Sequence, residues 1–139
     1  MVAPLYDVVH GLALDIANAS AAENDQADSE AYDALKELCQ SHEGSDLDHP
    51  LQWEALGDFS ESHEEALQAY QQGLICSTKL ALPEYSASIK FAMAESYLEQ
   101  KNTSKAQQLA TEANTEAART NDNELKVAIN EFLNEISHT

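Results

Sequence analysis

Cations are what this 139-residue chain most lacks: seven lysines and arginines stand against 25 aspartates and glutamates, a formal net charge of −18. A chain so poor in base has nothing to offer a phosphate backbone or an anionic lipid face, and its one local cluster, Lys101 and Lys105, sits at a single turn. Nucleic acid and membrane are therefore set aside as partners. Two cysteines, Cys39 and Cys76, are too few and too far apart for a zinc motif, and they read as buried thiols behaving as small hydrophobes. With only four glycines and three prolines the segments run long, and their alanine, leucine, glutamate and glutamine favour helix over strand. No run approaches the ~20 apolar residues of a membrane span, and the opening MVAPLYDVV lacks the basic region and apolar stretch of an export signal. The expected location is cytoplasmic. A chain of this length can bury a core without a disulfide or metal, so no cofactor is called for.

What is present is amphipathic periodicity. Apolar residues recur at three and four positions in seven segments, which reads as an all-α chain of seven helices in one domain, 1–139. The first runs from Pro4 to about Ala21 and the second from about Ser29 to Ser41, forming an N-terminal hairpin over 1–42. Within HEGSDLDHP, residues 42–50, the stretch 43–49 reads as a loop, closed by Pro50. Helix three runs from Pro50 to Phe59, and helix four opens at the Ser62 and Glu65 capping pattern and ends near Leu80, together a 50–82 repeat. Pro83 starts helix five, and Thr103 or Ser104 caps helix six, a second repeat over 83–119. The last helix occupies 122–138 and is expected to close the core with Leu125, Ile129, Phe132, Leu133 and Ile136.

The segments HEEALQAYQQG and SKAQQLATEAN share a register forty residues apart, placing Ala66, Tyr70 and Gly73 over Ala106, Ala110 and Ala113. The same shift lays Ile89 and Met93 over Ile129 and Leu133. Self-similarity at such a period is the mark of an α-solenoid of antiparallel helical hairpins. Trp53, Leu56 and Gly57, then Ala66, Tyr70 and Gly73, resemble the tetratricopeptide repeat pattern. Met93, Ala94 and Tyr97, followed by Ala106, Ala110 and Ala113, are similar to it, and Ala31, Leu35 and Leu38 form a weaker copy. The forty-residue spacing is longer than the family's usual 34. The resemblance implies a degenerate solenoid that binds protein.

That resemblance also implies a concave groove lined by the first helix of each pair. It assigns Glu54, Asp58 and Glu61 near helix three, Phe91, Glu95, Leu98 and Glu99 on helix five, and Glu131 and Glu135 on helix seven. Independently of any family, Glu54 and Asp58, Glu95 and Glu99, and Glu131 and Glu135 each stand four apart, so each pair shares a helix face despite like-charge repulsion. The expected function is a protein-interaction module or adaptor taking a basic protein or peptide. A dedicated inhibitor, an immunity protein, or a secretion chaperone for one basic partner is the alternative. Residues 1–78 hold sixteen acidic side chains and Lys36 alone, so the steering field belongs to the N-terminal half.

An enzyme is not expected, since no phosphate loop, nucleophile elbow or Cys-His signature occurs. The remaining chemical candidate is a metal-dependent enzyme around His42, His49 and Asp46, in a histidine-rich stretch reaching His63. No two histidines there have the i, i+4 spacing of a helical metal pair, and DLDHP departs from the calcium-loop pattern. The apolar face of helix one, Leu5, Val9, Leu12 and Ile16, leaves both a monomer and a homodimer open.

Overall fold

The computed structural model describes residues 3–138. Among them the chain is all-α, with seven helices: α1 Tyr6–Ala21, α2 Asp25–His42, α3 Pro50–Phe59, α4 His63–Lys79, α5 Pro83–Glu99, α6 Thr103–Ala117 and α7 Asn123–Ser137. They group into two compact units, Met1–Gln72 and Gly73–Thr139, so the division falls inside α4 and inside the 50–82 repeat.

Helix ends are set by short polar side chains. Asn24 accepts the Ala27 amide at 3.1 Å and starts α2, four residues earlier than the apolar pattern suggests. Asn102, rather than Thr103 or Ser104, accepts the Lys105 amide at 3.2 Å and starts α6. Asp122 does the same for α7 through the Leu125 amide, and Ser62 accepts the Glu65 amide as the capping pattern requires. In each case an acceptor side chain satisfies an amide that has no partner inside the helix.

Three helices end in one device. After α1, α4 and α5 a residue with positive φ (Glu23, Ala81, Lys101) reverses the chain, and the next amide reaches back to close the last turn. The three closing bonds are Asn24 to Ala19, Leu82 to Ser77 and Asn102 to Tyr97, at 2.8, 2.8 and 2.9 Å. This is the Schellman closure, usually built on glycine, here carried by residues that pay a steric cost for the left-handed conformation.

In the first unit α1 packs on α2 and α3, and α2 packs on α3. Val9, Ile16 and Ala19 of α1, Leu35 and Cys39 of α2, and Trp53 and Leu56 of α3 are all buried. At Gly57 a Cβ would lie 2.6 and 2.8 Å from ring atoms of Tyr70, so only glycine lets that ring seat against α3. The second unit is built on alanine. Ala106, Ala110, Ala113 and Ala117 form one stripe on α6, all fully buried, so α5 can approach closely through Ala87 and Ala94. Ile129 of α7 caps that seam, with Phe91, Leu125 and Leu133 packed around it, and Phe91 meets Phe132 edge to face at 5.4 Å. Lys90 bridges α5 to α6 by pairing with Glu112 at 3.6 Å and Glu116 at 3.8 Å. No described helix is long and apolar enough to cross a membrane.

Candidate functional site: an acidic groove between two helices

In the first unit residues of α2, of the end of α3 and of the start of α4 together line a groove. Starting α2 at Asp25 puts Asp25 and Asp28 in its first turn, where carboxylates are favoured by the unpaired amides of a helix N-terminus. Both line a concavity of about 420 Å³, with Tyr32 one turn further along. Glu61, in the turn before α4, and Glu65, in its first turn, face them across the opening, and Phe59 supplies an apolar wall. The Tyr32 hydroxyl shares a 2.8 Å hydrogen bond with Ser60 Oγ and donates to Glu65 at 3.3 Å, tying α2 to both other helices. Burial raises the Tyr32 pKa, the Ser60 bond opposes it, and the Glu65 charge adds to it. The phenol therefore remains a neutral donor. One oxygen of Asp28 is held by the Ser20 hydroxyl at 2.8 Å.

Tyr32 and Glu65 also line a second hollow, of about 250 Å³, which continues the groove toward the C-terminal end of α2. Its floor is Trp53 and Leu56 of α3, and its walls carry Lys36 and Gln40 on one side and Gln68, Gln71 and Gln72 on the other. A more open concavity of about 540 Å³ between α1 and α2 is lined mainly by alanine and asparagine, with Asp15 and Glu30 as its only charges among the described residues.

Of the nine residues assigned from the sequence, Glu61 lies in the acidic groove. Glu54 is half-buried on α3. Asp58 is exposed as a residue, yet its carboxylate accepts the Tyr70 hydroxyl at 2.6 Å. Protein crowding on that carboxyl raises its pKa and the Tyr70 bond opposes the rise, so Asp58 contributes stability at acid pH that is lost as pH rises through its folded value. The other six belong to the second unit. Glu95, Glu99, Glu131 and Glu135 are exposed and Leu98 is half-buried, while Phe91 is engaged with Phe132 and the alanine seam.

Sequence reasoning missed Asp25, Asp28, Tyr32 and Glu65. The signal was Asn24, a good cap: with α2 extended to Asp25, residues 25, 28, 32 and 36 fall on one face.

The loop before α3 is structural in its bonding. His49 is buried, and its Nδ1 accepts the Leu51 amide at 3.1 Å as the N-cap of α3. Burial lowers its pKa, opposed by the Asp48 charge. Asp48 accepts the Trp53 indole at 2.7 Å and the Gly44 amide at 2.8 Å. Among the described residues no group of three or more His, Cys, Asp or Glu is placed to hold a metal ion.

Comparison with family models, with curated proteins and with solved structures finds no match for this chain.

Proposed function

We propose that the protein is an interaction module or adaptor that takes a basic segment of a partner protein into the acidic groove between α2 and α4. The observation that carries this reading is the convergence of Asp25, Asp28, Glu61 and Glu65 on one 420 Å³ concavity that also presents Tyr32 and Phe59. Carboxylates around a cation supply charge-assisted hydrogen bonds, and aromatic faces add a contact that lysine and arginine favour. The field of the first unit, sixteen acidic residues against Lys36, speeds encounter with such a partner and weakens with salt.

We further propose that the chain is a degenerate tetratricopeptide-like solenoid working in the cytoplasm. Supporting this are the joint burial of Leu56, Gly57, Ala66, Tyr70 and Gly73, and of Met93, Ala94, Ala106, Ala110 and Ala113 at the matching places. An inhibitor or secretion chaperone would use the same groove and would differ in holding one partner stoichiometrically with nanomolar affinity.

The test is affinity capture from the source organism's lysate at low and moderate salt, with wild type beside an Asp25→Asn, Asp28→Asn, Glu61→Gln, Glu65→Gln variant. A basic protein kept by wild type, shed at the higher salt and missed by the variant is the expected result. A partner held equally by both proteins overturns the groove as the site.

A further inference from the structure

The groove is not uniformly acidic, and the exception is informative. Lys36 is the one lysine or arginine in residues 1–78, and it stands in the second hollow. Glu43 and Glu65 line the same hollow, yet Lys36 has no ion-pair partner among the described residues. The adjoining hollow holds four carboxylates and, among the described residues, no base. One groove thus carries a cation-seeking end and, further along, a lysine whose ammonium remains available. Between and beside them Gln40, Gln68, Gln71 and Gln72 each offer a donor and an acceptor, the pairing that a peptide main chain requires.

The spacing of the two ends sets a length. Asp28, Tyr32, Lys36 and Gln40 succeed one another every four residues along the wall formed by α2. Asp28 and Lys36 are eight residues apart, about 12 Å of helix at 1.5 Å per residue. An extended segment rises about 3.3 Å per residue and alternates its side chains, so two that point the same way about 13 Å apart are four residues apart.

Resting on the function proposed above, we propose that the groove takes an extended segment in which a lysine or arginine and an acidic residue stand four positions apart. The base enters the hollow of Asp25, Asp28, Glu61 and Glu65, the acid meets Lys36, and the glutamines hold the main chain between them. Lys36 acts as the selectivity element. In a field this negative, a ligand's acidic group is repelled everywhere along the groove except beside it.

Selection from a phage-displayed library of random dodecapeptides tests this, using the full chain as bait in three forms: wild type, Lys36→Gln, and the Asp28→Asn, Glu65→Gln double variant. Thermal melts establish that each bait is folded. Wild type is expected to enrich peptides with Lys or Arg and, four residues away, Asp or Glu. Lys36→Gln should enrich the base without the spaced acid, and it should bind a wild-type-selected peptide about two- to fivefold more weakly. The double variant should lose the base. Enrichment of base alone on wild type, or a four-residue spacing that survives Lys36→Gln, overturns the two-point recognition and leaves the basic-segment reading standing. Failure to enrich any basic peptide on wild type overturns both.

Discussion

The two units of this chain use charge in opposite ways. Met1–Gln72 carries sixteen acidic side chains and one lysine, and four of those carboxylates converge on an open groove where, among the described residues, no lysine or arginine pairs with them. Gly73–Thr139 carries nine acidic and six basic residues and spends part of that balance internally, Lys90 reaching Glu112 and Glu116 across α5 and α6. Their cores differ as well. The first unit seats two large aromatic rings, Trp53 and Tyr70, held by polar bonds to Asp48 and Asp58, whereas the second closes on a stripe of alanines. Repulsion is left in place on the first unit while the second pairs part of its charge, and the first is the surface on which we propose that a ligand completes the electrostatics.

The largest expected effect falls on the second unit. Ile129→Ala removes the side chain that caps the alanine seam and should cost about 2–5 kcal/mol, read by chemical denaturation. Hydrogen exchange should show protection lost in α5 to α7 ahead of α1 to α3; equal loss in both would break the comparison. Gly57→Ala probes the first unit. The new methyl meets the Tyr70 ring and should cost about 1–3 kcal/mol while releasing the Tyr70 bond to Asp58. An unchanged denaturation midpoint would show that the ring is not confined.

Smaller effects sharpen the contrast. Glu23→Gly in one unit and Lys101→Gly in the other relieve the same left-handed closure, and each should stabilise by about 1 kcal/mol. Equal gains would show that the two turns are one device. The smallest effect is the pH dependence that His49 gives the first unit. The folded-state pKa of His49 lies below the ordinary 6.5, so the unfolded chain takes up the proton first, and stability is lost as pH falls from 6.5 through that lowered value. Melts at pH 7.5 and 5.5 should reveal this slope in wild type and a flatter response in His49→Asn, which keeps a capping side chain and cannot titrate.

Much of the fold was legible because helical periodicity survives in every segment: Val9 and Ile16, Leu35 and Cys39, and Ile129 and Ile136 are seven, four and seven apart and all are buried. The turns were less legible for a specific reason. Glu23, Ala81 and Lys101 occupy left-handed positions that a reader assigns to glycine, and Asn24 and Asn102 each serve as helix closure and cap at once. The acidic half of the chain announced itself in composition. Which carboxylates share one concavity did not, because Asp25 and Asp28 come together with Glu61 and Glu65 through tertiary packing, which spacing along the chain does not encode. Asp58 shows the same limit, since its helix face was readable and its bond to Tyr70 was not.

The most direct test of the central claim is to map where a basic peptide lands. Amide chemical shifts of the full chain should be followed while an arginine-rich dodecapeptide is titrated at low salt. The account predicts shifts concentrated in Asp25–Glu43 and Phe59–Gln72, saturating together and reversed by added salt. Shifts centred instead on Glu95, Glu99, Glu131 and Glu135, or spread evenly over all acidic residues, would contradict it.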